Sequence, residues 1–290
     1  MSGKKVAFDP LFVNRYLLVP DPLHRGSMST VYRATDLQRS EAVVIKIVPA
    51  ERPDLIMRSE REVAAHRRLQ HPRILPLLDS GTCDRGHYLV FRYLKLGDVE
   101  RLVVRRGPLR PRHAASLMIH LLDALGAVHG CGMTHRDVKA SNLLLESEEE
   151  ATLIDFGLVA MYAPHERSRR ITSPLVPFGT PGYIAPERCL AGKYGSDPHA
   201  DLDPRSDLYA CGVVLYELLA GQLPFRSPDP VELVRAHIFE DPPPFPEDGP
   251  RPRCPELERI ALWAMRKLPD SRPASAEVMR AAILAAIPPR

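Results

Sequence analysis

The sequence is poor in several features, and each shortage excludes a class of protein. No uninterrupted apolar run approaches the ~18 residues that span a bilayer, and the N-terminal "MSGKKVAF" lacks the apolar stretch of a signal peptide. The five cysteines are odd in number, widely separated and without a CxxC pair, which fits reduced structural thiols rather than a disulfide framework. We therefore expect a cytoplasmic protein with no membrane partner.

A strong excess of charge of one sign is also missing. The net charge is only +3, and the basic residues are spread along the chain, which argues against a nucleic-acid partner. Asparagine is scarce and occurs only at Asn14 and Asn142. The chain does have 290 residues, of which 44% are hydrophobic, and this is enough for one large domain or two coupled lobes.

The pattern of elements changes once along the chain. Residues 15–50 alternate short β-branched runs with turn formers, which is typical of antiparallel hairpins. Residues 54–69 carry apolar side chains at helical spacing, and "YLVFRYL" then returns to strand. After Gly97 long helical segments alternate with loops rich in Pro and Gly. This predicts an α+β protein with a small sheet lobe over residues 1–92 and a larger helical lobe over 93–290, which together form one domain over about 15–287.

Three short motifs follow one another in the predicted helical lobe. They are "HRDVKASN" at 135–142, "DFG" at 155–157 and "GTPGYIAPE" at 179–187, and "VVIK" at 43–46 precedes them. In this order the chain resembles the Hanks-type serine/threonine protein kinases, specifically their bacterial branch, over nearly its whole length. The resemblance implies a bilobal kinase fold, ATP as phosphoryl donor, Mg²⁺ or Mn²⁺ as the metal, and protein Ser/Thr hydroxyls as acceptors.

The resemblance also implies roles for the residues in these motifs. Asp137 would orient the incoming hydroxyl and accept its proton, and Lys139 would place a positive charge beside the γ-phosphate. Asn142 and Asp155 would supply oxygen ligands to the metal. Because the sequence almost eliminates asparagine, its use at residue 142 argues that this amide has a function.

The predicted sheet lobe would supply the other charged pair and much of the nucleotide pocket. Lys46 would hold the α- and β-phosphates and pair with a helix carboxylate, either Glu62 or the alternative Glu60. The resemblance places around adenine the side chains of Leu23, Val31, Val44, Phe91 and Leu144, and the backbone of Arg92 and Leu94.

The glycine-rich loop departs from the family pattern. It is reduced to "HRGSMSTV", in which Gly26 is the one glycine and His24 takes an outer position. The His24 side chain would crowd the loop, meet a phosphate when it is protonated, or simply be solvated. Since Gly26 remains where the backbone comes nearest the phosphates, we expect the loop to close.

Further residues are predicted to act in specificity, structure and regulation. Thr180 resembles the threonine that bonds to the catalytic aspartate and lysine in kinases acting on Ser and Thr. Structural roles are implied for Asp207, which would anchor the catalytic loop, and for Glu187 with Arg272, which would tie the activation segment to the last helices. Arg136 would contact an activation-loop phosphate. The phosphorylation sites expected in that loop are Thr172, Ser173 and Ser168, with self-association allowing one copy to phosphorylate another.

Two alternative functions and three ambiguous segments stay open at this stage. A pseudokinase that binds ATP as a signalling scaffold would explain the altered glycine loop, and the same fold also phosphorylates small molecules or lipids. The segment 241–255 is expected to be an ordered loop rather than a polyproline ligand. The acidic run 146–150 predicts a turn between strands, and the acidic residues between 197 and 203 predict a solvated loop rather than a metal site.

Overall fold

The chain divides into two compact units. The first unit consists of Met1–Gln70 and Leu75–Tyr93, and the second consists of His71–Ile74 and Leu94–Arg290. The computed structural model describes residues 10–161, 180–190, 202–245 and 253–287. The first unit is an antiparallel sheet in the order β1-β2-β4-β5-β7-β6, with β3 paired to β4. Its elements are β1 Leu11–Phe12, β2 Tyr16–Leu18, β3 His24–Arg25, β4 Thr30–Asp36, β5 Glu41–Pro49, α1 Pro53–Arg68, β6 Leu77–Cys83 and β7 Gly86–Arg92.

The two faces of this sheet bury different partners, because successive strand residues point to opposite sides. On one face Val43, Ile45 and Ile47 of β5 join a core cluster with Phe12 and Tyr16. The opposite face carries Lys46, whose ammonium group contacts α1. The sheet is therefore a two-sided platform with an apolar core on one face and a charged side chain on the other.

Helix α1 presents a mixed stripe of buried side chains. Leu55, Ser59, Glu62 and His66 are buried at spacings of three or four residues, which places them on one side of the helix. Proline at the first helical position and Asp54 in the first turn suit the N-terminus. The amphipathic helix predicted over 54–69 is confirmed, although two of the residues on its buried face are a serine and a histidine.

The second unit is mainly helical. Its helices are α2 Val99–Arg106, α3 Pro111–Gly130, α4 Pro186–Leu190, α5 Arg205–Ala220, α6 Pro230–Phe239, α7 Pro255–Ala264 and α8 Ala276–Ala286. Short antiparallel pairs join β8 Met133–Thr134 to β11 Ala160–Met161 and β9 Leu143–Leu145 to β10 Ala151–Leu153. Thirteen consecutive residues of α5, from Ser206 to Leu218, are buried, so this helix forms the centre of the unit.

The expected α+β class is confirmed. The acidic residues 146–150 connect β9 to β10 as predicted, and Arg106 binds Glu148 on this turn at 2.6 Å. None of the five cysteines, all of which lie in the described ranges, forms a disulfide. Within the described ranges, no helix combines the length and the hydropathy needed to cross a membrane.

Candidate active site

The sheet unit holds a buried lysine and glutamate pair. Lys46 projects from β5 and Glu62 from α1, and the Lys46 Nζ donates to the two carboxylate oxygens at 2.8 and 3.1 Å. Glu62 is 2% exposed, whereas Lys46 is 21% exposed. A buried carboxylate requires such a partner, and the ammonium group keeps partial access to solvent, as a phosphate ligand would need.

The shortened glycine loop lies at the edge of the same unit. His24 on β3 pairs with Val31 on β4, and the Gly26 backbone N–H donates to the Ser29 carbonyl at 3.0 Å. A Cβ placed on Gly26 would lie 2.7 Å from His24 Nε2. The imidazole therefore lies beside the one remaining glycine of the loop, although His24 as a whole is exposed.

The catalytic loop is fixed to the core of the helical unit by one carboxylate. Asp207, in the first turn of α5, accepts backbone hydrogen bonds from His135 and Arg136, each at 2.8 Å, and a third from the His129 ring at 2.8 Å. Burial alone would raise the pKa of Asp207, but the His129 hydrogen bond and neighbouring charges lower it instead. Arg136 has a φ of +70°, a left-handed conformation that non-glycine residues rarely adopt.

His135 is fully buried within this loop. Its Nε2 lies 3.2 Å from the Ile154 carbonyl and its Nδ1 accepts from the Asp137 backbone at 3.3 Å, which is the pattern of a neutral ring. Burial lowers the pKa of His135 and favours that neutral form. The ring also meets Phe156 edge-on at 5.0 Å, so that the "HRD" and "DFG" motifs are in contact.

Asp137 is the centre of a closed network of polar side chains. Lys139 Nζ lies 2.7 Å from one Asp137 oxygen and donates to Thr180 Oγ1 at 2.9 Å, while Thr180 Oγ1 donates to the other Asp137 oxygen at 3.1 Å. Asn142 Nδ2 donates to the backbone carbonyl and the carboxylate of Asp137 at 2.8 and 3.1 Å. Three motif residues, Lys139, Asn142 and Thr180, therefore orient the Asp137 carboxylate.

Asn142 and Asp155 are the residues expected to bind a metal. Because the Asn142 nitrogen donates to Asp137, its oxygen Oδ1 is the atom suited to a cation. Asp155 adopts a φ of +65° and one of its oxygens accepts weakly from the Gly157 backbone at 3.4 Å. Among the described residues, no group of three or more His, Cys, Asp or Glu side chains is arranged so that it could hold a metal ion. One carboxylate and one amide oxygen fit Mg²⁺, which commonly takes its other ligands from substrate phosphates and water.

The other predicted nucleotide contacts are divided between the units. Leu23, Gly26, Val31, Val44, Phe91 and Arg92 belong to the sheet unit, and Leu94 and Leu144 belong to the helical unit. Leu23 is 48% exposed, whereas Phe91 at the end of β7 is 9% exposed. The expected phosphorylation sites Thr172, Ser173 and Ser168 lie outside the described residues.

A fully buried arginine connects the segment after Thr180 to the last helices. Arg272 is inaccessible to solvent and binds both carboxylate oxygens of Glu187 at 2.7 Å. Its remaining N–H groups donate to the backbone carbonyls of Arg205, Arg266 and Lys267. Since nearly every donor is satisfied, this bidentate pair is a structural clamp.

Two contacts were not anticipated from the sequence. Arg188 Nη1 donates to the backbone carbonyl of Arg136, one residue before Asp137. Tyr183, in the turn after Thr180, donates to buried Glu217 on α5 at 2.7 Å. Burial raises the pKa of Glu217 to about 7, although the Tyr183 hydrogen bond opposes the rise. A glutamate within an otherwise apolar helix was the available signal for this contact.

The sequence of this chain matches a known protein family over most of its length. The model of the protein kinase domain matches residues 20–282. This chain belongs to the protein kinase family. The expectation drawn from the "HRDVKASN", "DFG" and "GTPGYIAPE" motifs is therefore confirmed, and so is the kinase fold.

Individual relatives are bacterial serine/threonine kinases. The chain is 34% identical over 271 residues to the serine/threonine-protein kinase pkn3 of Myxococcus xanthus, covering 90% of this chain and 48% of that protein. It is 32% identical to PknB of Mycolicibacterium smegmatis, with 89% of this chain and 41% of that protein covered. It is also 32% identical to PknL of Mycobacterium bovis, with 90% and 63% covered. The chain thus spans about half the length of the first two of these relatives.

Proposed function

We propose that this protein is an active serine/threonine protein kinase, which transfers the γ-phosphoryl group of ATP to serine and threonine hydroxyls of proteins. The network around Asp137 is the observation that carries the proposal. A pseudokinase has no need to hold a carboxylate between a lysine, a threonine and an asparagine, and the distances of 2.7 to 3.1 Å are those of well-formed hydrogen bonds and ion pairs.

The residues of the network divide the work of the reaction. Asp137 would accept the proton of the substrate hydroxyl, since its carboxylate has a fixed direction within the network. Lys139, which contacts Asp137 and Thr180, would supply positive charge to the phosphoryl group as negative charge develops. Thr180 would connect the catalytic loop to the segment that receives the protein substrate, which favours Ser/Thr acceptors.

The phosphoryl donor ATP and the metal ion would be bound by two further pairs of residues. Lys46, held by Glu62, would bind the α- and β-phosphates of ATP with its ammonium group. Asn142 Oδ1 and Asp155 would hold Mg²⁺, with Mn²⁺ as the alternative ion. A bound divalent ion neutralises phosphate charge and fixes the phosphate orientation.

Regulation and partners form the finer part of the proposal. Arg136 would bind a phosphate on the activation loop, where Thr172, Ser173 and Ser168 are the candidate acceptors, and two copies of the chain would phosphorylate each other. Protein substrates are the expected partners, with neither nucleic acid nor membrane required, and cytoplasm is the expected compartment. The adenine pocket would be formed by the residues predicted from the family resemblance.

Labelled ATP tests the proposal directly. The purified chain would be incubated with ATP, Mg²⁺, a generic protein substrate and a panel of small-molecule and lipid acceptors. We expect label on protein Ser and Thr and a fall of about 10²- to 10⁴-fold for Asp137→Asn. Lys46→Met should lose transfer while it keeps its fold, with a lower unfolding free energy because the buried Glu62 carboxylate loses its partner. ATP binding without transfer would show a scaffold, and label on a small molecule would show a different substrate class.

The same assay tests regulation when it is followed by mass spectrometry. Phosphate on residues 168–173 of the wild type but not of Asp137→Asn would show autophosphorylation. Phosphate on both proteins would instead require a separate upstream kinase.

A further inference from the structure

A second polar contact joins α1 to the sheet beside the Lys46–Glu62 pair. Ser59 Oγ on α1 lies 2.6 Å from His87 Nδ1 on β7. Both side chains are buried, with 2% of Ser59 and 8% of His87 exposed. None of the roles assigned above uses this contact, although buried side-chain hydrogen bonds of this kind are strongly directional.

The contact lies close to the ion pair along both elements. Ser59 precedes Glu62 by three residues, so that the two side chains share one face of the helix. On the sheet, His87 of β7 pairs with Val48 of β5, and Leu89 of β7 pairs with Lys46 of β5. Paired residues share a face of the sheet, and so do residues two apart on one strand. His87 and Lys46 are therefore on the same face, two residues apart in register. A shift of the helix that stretched the Ser59–His87 bond would therefore also separate Glu62 from Lys46.

A third contact limits movement at the other end of the helix. The His66 ring packs against the Phe91 ring with their centroids 5.4 Å apart, and Phe91 is again on the face of β7 that carries His87. The helix is thus attached to β7 on both sides of Glu62. The Ser59–His87 attachment is a hydrogen bond, whereas the His66–Phe91 attachment is a contact between two rings.

We propose that Ser59 and His87 are positioning residues, which hold α1 where Glu62 meets Lys46, and that protonation of His87 releases this hold. The proposal rests on the proposed kinase function only where it predicts activity. In the neutral ring Nδ1 accepts the Ser59 hydroxyl proton. After protonation Nδ1 becomes a donor, so the hydroxyl must turn round and the site must accommodate a buried positive charge.

The surroundings of His87 offer that charge little support. Val48 of β5 and Thr82 of β6 flank it across the sheet, Ser59 contacts it from α1, and the exposed Glu60 of α1 acts on it only through its charge. Burial lowers the pKa of His87 from its ordinary value of 6.5, and the charge of Glu60 opposes this only in part. Because the packed state has the lowered pKa, the attachment is complete above about pH 6.5 and is lost as the pH falls through the lowered value.

Three variants of the full chain separate positioning from general stability. Ser59→Ala removes the hydrogen bond, and His87→Asn keeps an amide group near the Nδ1 position but cannot titrate. Ile45→Val is the matched control, because it removes a methylene from the opposite face of the same sheet. The readouts are kcat and the KM for ATP from pH 5.5 to 8, the melting temperature, and hydrogen exchange of the α1 amides corrected for intrinsic rates.

The expected size of these effects follows from the free energy that one buried hydrogen bond contributes. Ser59→Ala should lower kcat/KM for ATP about five- to tenfold at pH 7.5 and speed exchange in α1, while Ile45→Val should change the melting temperature without either effect. His87→Asn should retain most activity and lose the fall in activity that we expect of wild type as the pH drops below 6.5. Equal effects of Ser59→Ala and Ile45→Val, or an unchanged acid fall in His87→Asn, would overturn the proposal.

Failure of the kinase proposal is distinguishable from failure of this one. If the wild type transfers no phosphate to any acceptor, the proposed function is wrong, and hydrogen exchange alone then decides the role of the pair. Faster α1 exchange in wild type at pH 5.5 than at pH 7.5, abolished in His87→Asn, would support the positioning role. Exchange with the same pH dependence in both proteins would refute it.

Discussion

Replacement of Glu217 by glutamine should stabilise the protein, and the gain should depend on pH in a defined direction. Glu217 is 6% exposed on the central helix α5, where its carboxylate accepts a hydrogen bond from Tyr183. The charge of Glu100 adds to the effect of burial in raising its pKa. Glutamine has nearly the same shape and can accept a hydrogen bond from the Tyr183 hydroxyl group, but it never carries the buried negative charge.

The size of the effect follows from the proton affinity of the carboxyl group. Its pKa rises from 4.5 in the unfolded chain to about 7 in the folded protein, and each unit corresponds to about 1.4 kcal/mol. The folded state binds this proton more tightly than the unfolded state. The contribution of the protonated Glu217 to the unfolding free energy is therefore fully present below pH 4.5 and is lost as the pH rises through 7. Relative to Glu217→Gln, wild type should therefore lose about 3 kcal/mol of unfolding free energy between pH 4.5 and 8.

Urea unfolding of both proteins across this pH range measures the difference, and all titrating groups common to both cancel. Glu256→Gln, at an exposed position on α7, is the control and should leave the pH dependence unchanged. Glu100→Gln should lower the Glu217 pKa and reduce the difference between wild type and Glu217→Gln. Wild-type and Glu217→Gln curves separated by a constant amount at every pH would refute this account of Glu217.

Three further substitutions test other contacts. Arg272→Met should lower the unfolding free energy by about 3–5 kcal/mol, because it leaves the Glu187 carboxylate buried without its partner; a urea midpoint near that of wild type would contradict the clamp. Thr180→Val should reduce kcat about 10- to 100-fold, with little change in the KM for ATP, because it removes the two hydrogen bonds of the Thr180 hydroxyl group. Thr180→Ser keeps the hydroxyl group and should retain activity. Equal activity of the two variants would argue against the network. His24→Gly should change the KM for ATP more than kcat, because the imidazole lies over Gly26; a large fall in kcat at constant KM would show that the loop has been misinterpreted.

The sequence predicted the elements whose side chains follow a clear period. The helix expected over 54–69 is observed at Pro53–Arg68, because its apolar positions and N-terminal proline act together. Strand β6 was not predicted from "LLDSGTC", which has few of the β-branched and aromatic residues that favour strands. Its pairing with β7 imposes the extended conformation, which is a tertiary effect that local sequence does not contain.

The candidate site was predictable to a different extent at each position. The motifs gave the identities of Asp137, Lys139, Asn142 and Thr180, but their hydrogen-bonding directions depend on the path of the backbone. That path includes a left-handed arginine at residue 136, which arginine's own preferences oppose and which two backbone bonds to Asp207 stabilise. The Ser59–His87 pair was also missed, since a serine within an amphipathic helix does not reveal which strand residue it will meet.

The attachment of the catalytic loop to Asp207 bears on how the protein binds its ligands. Ordering a backbone residue costs about 1–2 kcal/mol of conformational entropy, and residues 135–137 meet this cost when α5 folds beneath them, because a carboxylate of that helix holds their amides. The Asp137 amide is held in turn by His135 Nδ1 rather than by Asp207. An arriving nucleotide or substrate therefore finds this segment already shaped. Calorimetric entropy of ligand binding should accordingly contain little contribution from the catalytic loop, and ordering on binding should be confined to other parts of the chain.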